Sequence, residues 1–177
     1  MPCILLTGAS GYIGSHTWLA LKEAGFDVVG IDSFVNSSPR VLERIASIGG
    51  FQPEFIQGDV RDAAALDRCF ALGAKFGGIS AVVHFAALKA VGESVERPLD
   101  YFENNLGGLL SVCQAMKRHV VHNVVFSSSA TVYGKPERLP ITEDSPLRVT
   151  NPYGQTKLMG EDMLRELERC DARWHVA

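Results

Sequence analysis

The chain has 177 residues, of which 46% are hydrophobic and 21% charged, a composition typical of a folded globular domain. Its formal net charge is −3 and it contains no block of basic residues, which argues against nucleic acid as a partner. The apolar runs are too short to span a bilayer and no basic segment precedes an apolar run at the N-terminus, so we expect no membrane association and a cytoplasmic location.

Short β-rich runs alternate with longer helical patterns along the chain. The run Ala81–Phe85 is almost continuously apolar, which is typical of a strand covered on both faces of a parallel sheet. Such alternation with short connections predicts right-handed βαβ crossovers and a single α/β domain with a doubly wound parallel sheet of Rossmann type. The predicted strands are 3–7, 27–32, 54–57, 81–85 and 123–127, and the predicted helices are 13–24, 39–48, 62–72, 99–119 and 152–170.

The C-terminal part of the chain contains one long loop and a well-marked helix. Asn151 is a suitable N-cap and Pro152 suits the first helical position. Residues 134–150, rich in Pro, Glu, Asp and Thr, form the long loop. Residues 174–177 have the pattern of another strand that begins and is then cut short. We therefore expect a chain that is truncated before a further domain is completed.

The four cysteines indicate no special chemistry. They are widely scattered and no CxxC pair occurs, so the sequence predicts neither a zinc site nor a redox pair, and no metal at all. Each is expected to be a small buried side chain. The cysteines are Cys3, Cys69, Cys113 and Cys170.

A glycine-rich turn lies between the first predicted strand and the first predicted helix. Gly8, Gly11 and Gly14 permit a tight turn and let the backbone approach a pyrophosphate closely, while the helix N-terminus offers N–H groups to the same anion. The spacing alone is equally typical of an ordinary glycine turn. Its position between strand and helix favours a dinucleotide site.

An acidic residue ends the second predicted strand. Asp32 is placed to accept hydrogen bonds from both ribose hydroxyls of an adenosine, and it would repel the additional phosphate of NADP. The alternative is a solvated carboxylate at a strand end. The interpretation as a dinucleotide site favours NAD over NADP. Asn36 and Ser37 follow Asp32 in the same loop.

The end of the third predicted strand offers two interpretations. Asp59 could accept a hydrogen bond from an adenine amino group, with Val60 packed on the ring. Asp59 could instead be the N-cap of helix 62–72, and the two roles could coexist.

The fourth predicted strand ends in small residues. Phe85, Ala86 and Ala87 let a cofactor lie against the backbone, and Lys89 is placed to meet anionic or hydroxyl groups unless it is simply solvated. His84 lies inside the apolar run and is expected to be a neutral buried histidine, not a catalytic one.

A candidate catalytic group follows the fifth predicted strand. Tyr153 and Lys157 are four residues apart and so share one face of helix 152–170. An ammonium beside a phenol favours the phenolate, which makes tyrosine usable as a general base near neutral pH. Ser129 could bridge the phenol and a substrate hydroxyl. A tyrosine and lysine at this spacing also occur together by chance, and it is the combination with the glycine turn that favours catalysis.

These motifs resemble the extended short-chain dehydrogenase/reductase family, and within it the sugar-nucleotide 4-epimerases. The resemblance covers essentially the whole chain. The family's polar pattern is not followed at Gly107, Gly108 and Leu109. The two adjacent glycines should weaken helix 99–119 by roughly 1 kcal/mol each relative to alanine. The stretches that carry the resemblance are TGASGYIGSHT (7–17), HFAALKAVGES (84–94), FSSSATVYG (126–134) and NPYGQTKLMGE (151–161).

The resemblance implies NAD as the cofactor and a UDP-sugar as the substrate. It implies catalytic roles for Ser129, Tyr153 and Lys157, and substrate contacts from Lys89, Ser129 and Tyr153. The residues expected to bind NAD are Gly8, Gly11, Tyr12, Ile13, Gly14, Asp32, Ser33, Asn36, Ser37, Asp59, Val60, Phe85, Ala86, Ala87, Lys89, Asn104, Tyr153 and Lys157.

The implied reaction is epimerisation of UDP-glucose and UDP-galactose at C4 through a 4-keto sugar. Family members are roughly twice as long, so residues 1–177 would be the NAD-binding domain, without the substrate domain and inactive alone. The full-length protein is expected to form a homodimer through helices 99–119 and 152–170.

Two other functions stay open. A sugar-nucleotide 4,6-dehydratase on this fold needs an additional acid/base pair after the strand-end serines, where this chain has Ala130 and Thr131. A non-catalytic NAD-binding fragment is the second alternative. The sequence does not distinguish UDP-glucose from an N-acetylated substrate.

Overall fold

The computed structural model describes residues 1–177 and contains one six-stranded sheet in which every pairing is parallel. The order across the sheet is β3-β2-β1-β4-β5-β6, so the winding reverses between β1 and β4. Ligands of such sheets bind at this reversal, outside the carboxyl ends of the strands. The doubly wound α/β prediction is therefore confirmed. The strands are β1 (Cys3–Thr7), β2 (Asp27–Asp32), β3 (Glu54–Gln57), β4 (Ile79–His84), β5 (Asn123–Phe126) and β6 (His175–Val176).

Seven α-helices connect or flank the strands. Four of the predicted helices are confirmed to within a residue or so at each end. The prediction of one helix over 99–119 was wrong in detail, because a π-helical turn at Phe102–Leu106 interrupts it. The helix Val91–Glu96 was not predicted. The helices are α1 (Tyr12–Glu23), α2 (Arg40–Gly49), α3 (Ala63–Gly73), α4 (Val91–Glu96), α5 (Pro98–Tyr101), α6 (Gly107–Arg118) and α7 (Pro152–Cys170), with 3₁₀ turns at Ala74–Phe76 and Ala130–Tyr133.

The sheet is buried between two helical layers. Successive side chains of a strand point to opposite faces, and in β1 Leu5 belongs to the larger apolar cluster while Leu6 belongs to the smaller one. The larger cluster includes Leu66 of α3 and Leu164 of α7. The smaller one includes Trp18 of α1. None of the helices is both long and apolar enough to cross a lipid bilayer.

The structure explains one of the two unexpected glycines. A Cβ atom added to Gly108 would lie 2.9 Å from Cγ2 of Val60, so glycine lets α6 approach the loop after β3. Nothing in the structure explains Gly107, around which there is open space.

Three of the four cysteines are buried as expected. Burial raises the pKa of the Cys69 and Cys113 thiols to about 12, and that of Cys3 to about 11. Cys170 is exposed at the end of α7, so the expectation of burial was wrong for this residue.

Candidate functional site

A cleft of about 330 Å³ runs along the carboxyl ends of the strands. Every residue predicted to bind a cofactor lines it, from Gly8 in the glycine turn to Lys157 on α7. Ser129 does not line it. The cleft also includes residues outside that set, each of which is the direct neighbour of a predicted residue or lies in the same strand-end loop. These are Val35, Gly58, Leu88, Ser127 and Ser128.

The glycine turn forms the part of the cleft nearest the point where the winding reverses. Gly8 has a φ of 65°, and a Cβ atom there would lie 2.8 Å from the Ala86 nitrogen, so the turn packs closely on the end of β4. Helix α1 begins after Gly11 with no side-chain cap and no acidic residue in its first turn. Its first N–H groups therefore have no partner within the helix and favour an anion.

Asp32 is held rigidly at the end of β2. One carboxylate oxygen accepts from the Ser10 N–H at 3.1 Å, and the other accepts from the Phe34 N–H at 2.9 Å and the Ser37 hydroxyl at 3.2 Å. Phe34 has the unusual φ of 61°, which the hydrogen bond to Asp32 helps to maintain. The carboxylate is thus fixed at the cleft with acceptor capacity left for hydroxyl groups.

Asp59 is paired with Arg61 at the end of β3. The hydrogen bond from the Arg61 side chain is the main cause of a lowered pKa for Asp59, and the shortest contact joins Arg61 Nη2 to the carboxylate at 2.6 Å. The alternative role of Asp59 as the cap of α3 was wrong. Asp62 caps that helix by accepting from the Ala64 N–H at 2.9 Å. Asp59 therefore stands at the cleft as an ionised acceptor.

His84 is a buried structural residue, as predicted. Its Nδ1 lies 2.8 Å from the Thr7 hydroxyl, and that hydroxyl accepts from the Ala86 N–H at 3.2 Å. Burial, helped by the charge of Lys157, lowers the pKa of His84 to about 3, so the ring is neutral. The hydrogen bonds of the Thr7 hydroxyl with His84 and Ala86 anchor the small-residue loop after β4 to the end of β1.

Helix α7 brings two of the three predicted catalytic residues to the cleft. Its N-cap is Asn151, which accepts from the Gly154 N–H at 2.8 Å, as expected from the sequence. Tyr153 and Lys157 then lie one turn apart on the cleft wall. Lys157 is only 4% exposed and donates to the Ser127 carbonyl at 2.7 Å. Burial lowers the pKa of Lys157 to about 8.

Ser129 lies just outside the cleft lining, at the start of a 3₁₀ turn. Its Oγ accepts from the Thr131 N–H at 3.2 Å and from the Thr131 hydroxyl at 3.0 Å. Its own hydroxyl proton remains available for donation. Ser128, its neighbour, does line the cleft and donates to the carboxylate of Glu161. No group of three or more His, Cys, Asp or Glu side chains is placed to hold a metal ion.

Comparison with known proteins shows the family. Residues 4–173 match the model of the NAD dependent epimerase/dehydratase family. The chain belongs to that family. Within the family, it is 52% identical over 174 residues to the UDP-glucose 4-epimerase of Bacillus subtilis (strain 168). It is 47% identical over 176 residues to UDP-glucose 4-epimerase 2 of Arabidopsis thaliana.

Solved structures of family members superpose closely on this chain. The UDP-glucose 4-epimerase of Bifidobacterium longum, in complex with NAD+ and UDP, is 46% identical with a TM-score of 0.93. The enzyme of Stenotrophomonas maltophila, with bound NAD and formylated UDP-arabinopyranose, is 43% identical with a TM-score of 0.92. These matches cover 98% and 99% of this chain but only 51% of each of those chains. The Bacillus and Arabidopsis matches cover 98% of this chain but 50% and 49% of the relatives, so the chain spans about half the length of the relatives it matches.

Proposed function

We propose that the full-length protein interconverts UDP-glucose and UDP-galactose by inverting C4, with NAD as its resident cofactor. One observation carries the proposal: a single cleft joins the glycine turn and Asp32 at one side to Tyr153 and Lys157 at the other. A dinucleotide that spans this cleft would place its reactive ring near the only phenol–ammonium pair on α7. The relatives named UDP-glucose 4-epimerase support the choice of reaction.

The residues of the cleft fit NAD in chemical type. The uncapped N-terminus of α1 would hold the pyrophosphate, and the fixed carboxylate of Asp32 would accept from the ribose hydroxyls of the adenosine. Asp59 would accept from the adenine amino group beside Val60. The same negative charge on Asp32 would repel the ribose phosphate of NADP.

The catalytic work that we assign to this chain is proton transfer. When bound, NAD would supply the chemistry of accepting a hydride from the sugar C4 and returning it. Tyr153, as the phenolate, would take the proton of the C4 hydroxyl while the C4 hydride leaves for NAD, so that a 4-keto sugar remains. After the sugar has turned over in the site and C4 has regained the hydride, Tyr153 would give the proton back. The ammonium of Lys157 favours the phenolate, and the hydroxyl proton of Ser129 would be donated toward the sugar oxygen. Lys89 would contact the substrate.

We further propose that residues 1–177 are the NAD-binding domain and that this part alone does not epimerise. Much of the UDP-sugar pocket would then be supplied by the half of the protein beyond this chain. A cytoplasmic location stays a prediction from the sequence.

The full-length protein is proposed to be a homodimer that pairs the helices of residues 99–119 and 152–170. Exposed apolar side chains on these segments, Leu99, Leu110 and Met159, are consistent with such a surface. An isologous interface of this kind buries the same patch on both subunits.

A test of the reaction is the fate of UDP-galactose with the full-length protein. We expect UDP-glucose as the product, with no external NAD required for repeated turnover. A 4-keto-6-deoxy product would instead indicate the dehydratase, which the side chains of Ala130 and Thr131 argue against because neither is an acid or a base at neutral pH. Binding of NAD without conversion of any UDP-sugar would indicate the non-catalytic alternative.

A further inference from the structure

Asn105 ties the loop after β4 to helix α7. Its Oδ1 accepts from the Leu88 N–H at 2.8 Å, and its Nδ2 donates to the Leu88 carbonyl at 3.0 Å. The same Nδ2 donates to the Thr156 hydroxyl at 3.0 Å, and that hydroxyl donates to the Tyr153 carbonyl at 2.7 Å. A continuous line of hydrogen bonds therefore runs from the backbone beside Lys89 to the backbone of Tyr153.

The π-helical turn places the asparagines for this contact. Within it the Gly107 N–H bonds to the carbonyl of Phe102, five residues earlier. Single π turns inside helices are rare and often occur at functional sites. Here the turn carries two adjacent asparagines with different surroundings: Asn104 lines the cleft, whereas Asn105 is 6% exposed. Asn104 also donates to Asn105 Oδ1 at 2.9 Å.

The hydrogen-bonding capacity of the Asn105 amide is fully used. Oδ1 accepts two hydrogen bonds and Nδ2 donates two. An apolar side chain of similar size would leave both backbone groups of Leu88 without their partner inside the protein, which is unfavourable for groups that are partly buried. The two contacts to Leu88 also fix the orientation of the Asn105 amide. If the amide were reversed, its NH2 group would face the Leu88 N–H and its oxygen would face the Leu88 carbonyl.

We propose that Asn105 is a positioning residue that holds the Phe85–Lys89 loop in register with Tyr153. The loop and α7 line the cleft on either side of the space that the reacting groups would occupy. A rigid link between them fixes the distance from that loop to the phenol oxygen, and displacement of reacting groups by about 1 Å can cost roughly 100-fold in rate. This assignment rests on the proposed epimerase function and adds a residue to it.

The first experiment measures amide hydrogen exchange in full-length wild type and Asn105→Ala. We expect exchange at Leu88 to become at least about tenfold faster in the variant, because the hydrogen bond that protects it is lost. The amide of Leu5 in β1 serves as the internal control and should keep its protection. Unchanged exchange at Leu88 would overturn the assignment, and this result does not depend on what the enzyme converts.

The second experiment compares Thr156→Val with Thr156→Ser in the full-length protein. Valine removes the hydroxyl that relays the contact, whereas serine keeps it. We expect kcat to fall about tenfold or more for valine and to stay within about twofold for serine, while the dissociation constant of NAD changes far less than kcat because the glycine turn and Asp32 lie elsewhere. Equal kcat in the two variants would reject the positioning role. If the wild type converts no UDP-sugar, the proposed function fails and the exchange at Leu88 alone decides the assignment.

Discussion

The ammonium group of Lys157 donates a hydrogen bond to the main-chain carbonyl oxygen of Ser127 at 2.7 Å. This bond joins the second turn of α7 to the residue that follows β5, and Lys157 lines the cleft. The ring of Phe126 lies 4.8 Å from the same nitrogen. A cation held between a carbonyl and an aromatic face keeps a fixed position one helical turn from Tyr153. The end of β5 therefore preorganises the ammonium group of Lys157.

Replacing Tyr153 with phenylalanine removes the proposed general base and little else. We expect kcat of the full-length enzyme to fall by about 10²–10⁴-fold, the usual contribution of such a group, while NAD remains bound. Steady-state assay with UDP-galactose and measurement of bound nucleotide check this. Tyr133→Phe is the matched control, because its hydroxyl contacts only Glu143 across 3.4 Å, and this variant should keep wild-type kcat. Near-normal turnover in Tyr153→Phe would remove Tyr153 from the mechanism.

Asp32 should determine the choice between NAD and NADP. Calorimetry on the wild type should show NAD bound more tightly than NADP. Asp32→Ala should weaken NAD binding by about tenfold, on the order of 1.4 kcal/mol for the lost ribose hydrogen bonds. The same substitution should reduce the ratio by which the protein prefers NAD to NADP. Asp67→Ala, a surface aspartate on α3 paired with Arg118, is the control and should bind NAD normally. Tighter binding of NADP than NAD by the wild type would contradict the assignment.

Because Lys157 is buried, the free energy of unfolding of the wild type should increase as the pH is raised above 8, when it is compared with that of a variant that lacks the amine. The folded state releases this proton near pH 8 and the unfolded state near 10.5, so between them the unfolded chain binds more protons. The free energy of unfolding of wild type relative to Lys157→Met should thus increase by about 3 kcal/mol from pH 8 to 10.5. Urea titrations of both proteins measure it.

Only the difference between the two proteins is informative in that experiment. The raised pKa values of Cys69 and Cys113 lie above the unfolded value of 9.0, so both proteins lose stability together as those thiols ionise above pH 9. A difference that stays constant across the range would show that the Lys157 amine keeps an ordinary pKa.

The proposed homodimer should respond to a charge on α6. Leu110 is 48% exposed, so Leu110→Glu should leave the fold of the subunit intact. In a paired surface the same substitution brings two carboxylates into an apolar contact, and we expect monomers. Light scattering on the full-length protein at micromolar concentration distinguishes the species. Glu43→Gln on α2 is a neutral control, and a monomeric wild type would refute the proposal.

The 177-residue chain alone should bind NAD weakly and convert no UDP-galactose. Its cleft contains the glycine turn, Asp32 and Asp59, so the adenosine end of the cofactor keeps its contacts. Binding energy from remote parts of a substrate helps to position the reacting centre, and these contacts would be missing. A coupled assay of UDP-galactose conversion by the 177-residue chain tests this prediction. Turnover within about tenfold of a median enzyme rate, roughly 10 s⁻¹, would show that residues 1–177 suffice for epimerisation.

The structure changed one expectation about that isolated chain. Because residues 174–177 have the pattern of a strand that is cut short, we expect from the sequence that β5 lacks a full partner and exposes unpaired backbone groups. Instead β6 pairs with it through Asn123↔His175 and Val124↔Val176, and the Phe126 N–H reaches the carbonyl of Ala177. The backbone of β5 is thus paired on both sides, although the side chain of Val125 is 44% exposed.

The sequence by itself determined the order and type of the strands and of four of the helices, and the strand ends at which the candidate residues lie. Those features follow from local patterns: apolar runs for buried strands, a glycine turn before α1, and Asn151 with Pro152 before α7. Parallel strands bring their carboxyl ends to one edge, so residues far apart in the chain were predictable as neighbours without any coordinates.

Only the tertiary structure decided which neighbours touch. The clamp of Asn105 on Leu88 joins two separate segments, and the π turn before Gly107 and the placement of Ser129 outside the cleft lining were not predicted from the sequence. Local pattern carries no information about such contacts, because the same asparagine or serine is equally compatible with a solvated helix or loop. Their roles are set when packing fixes the distances and burial removes competing water.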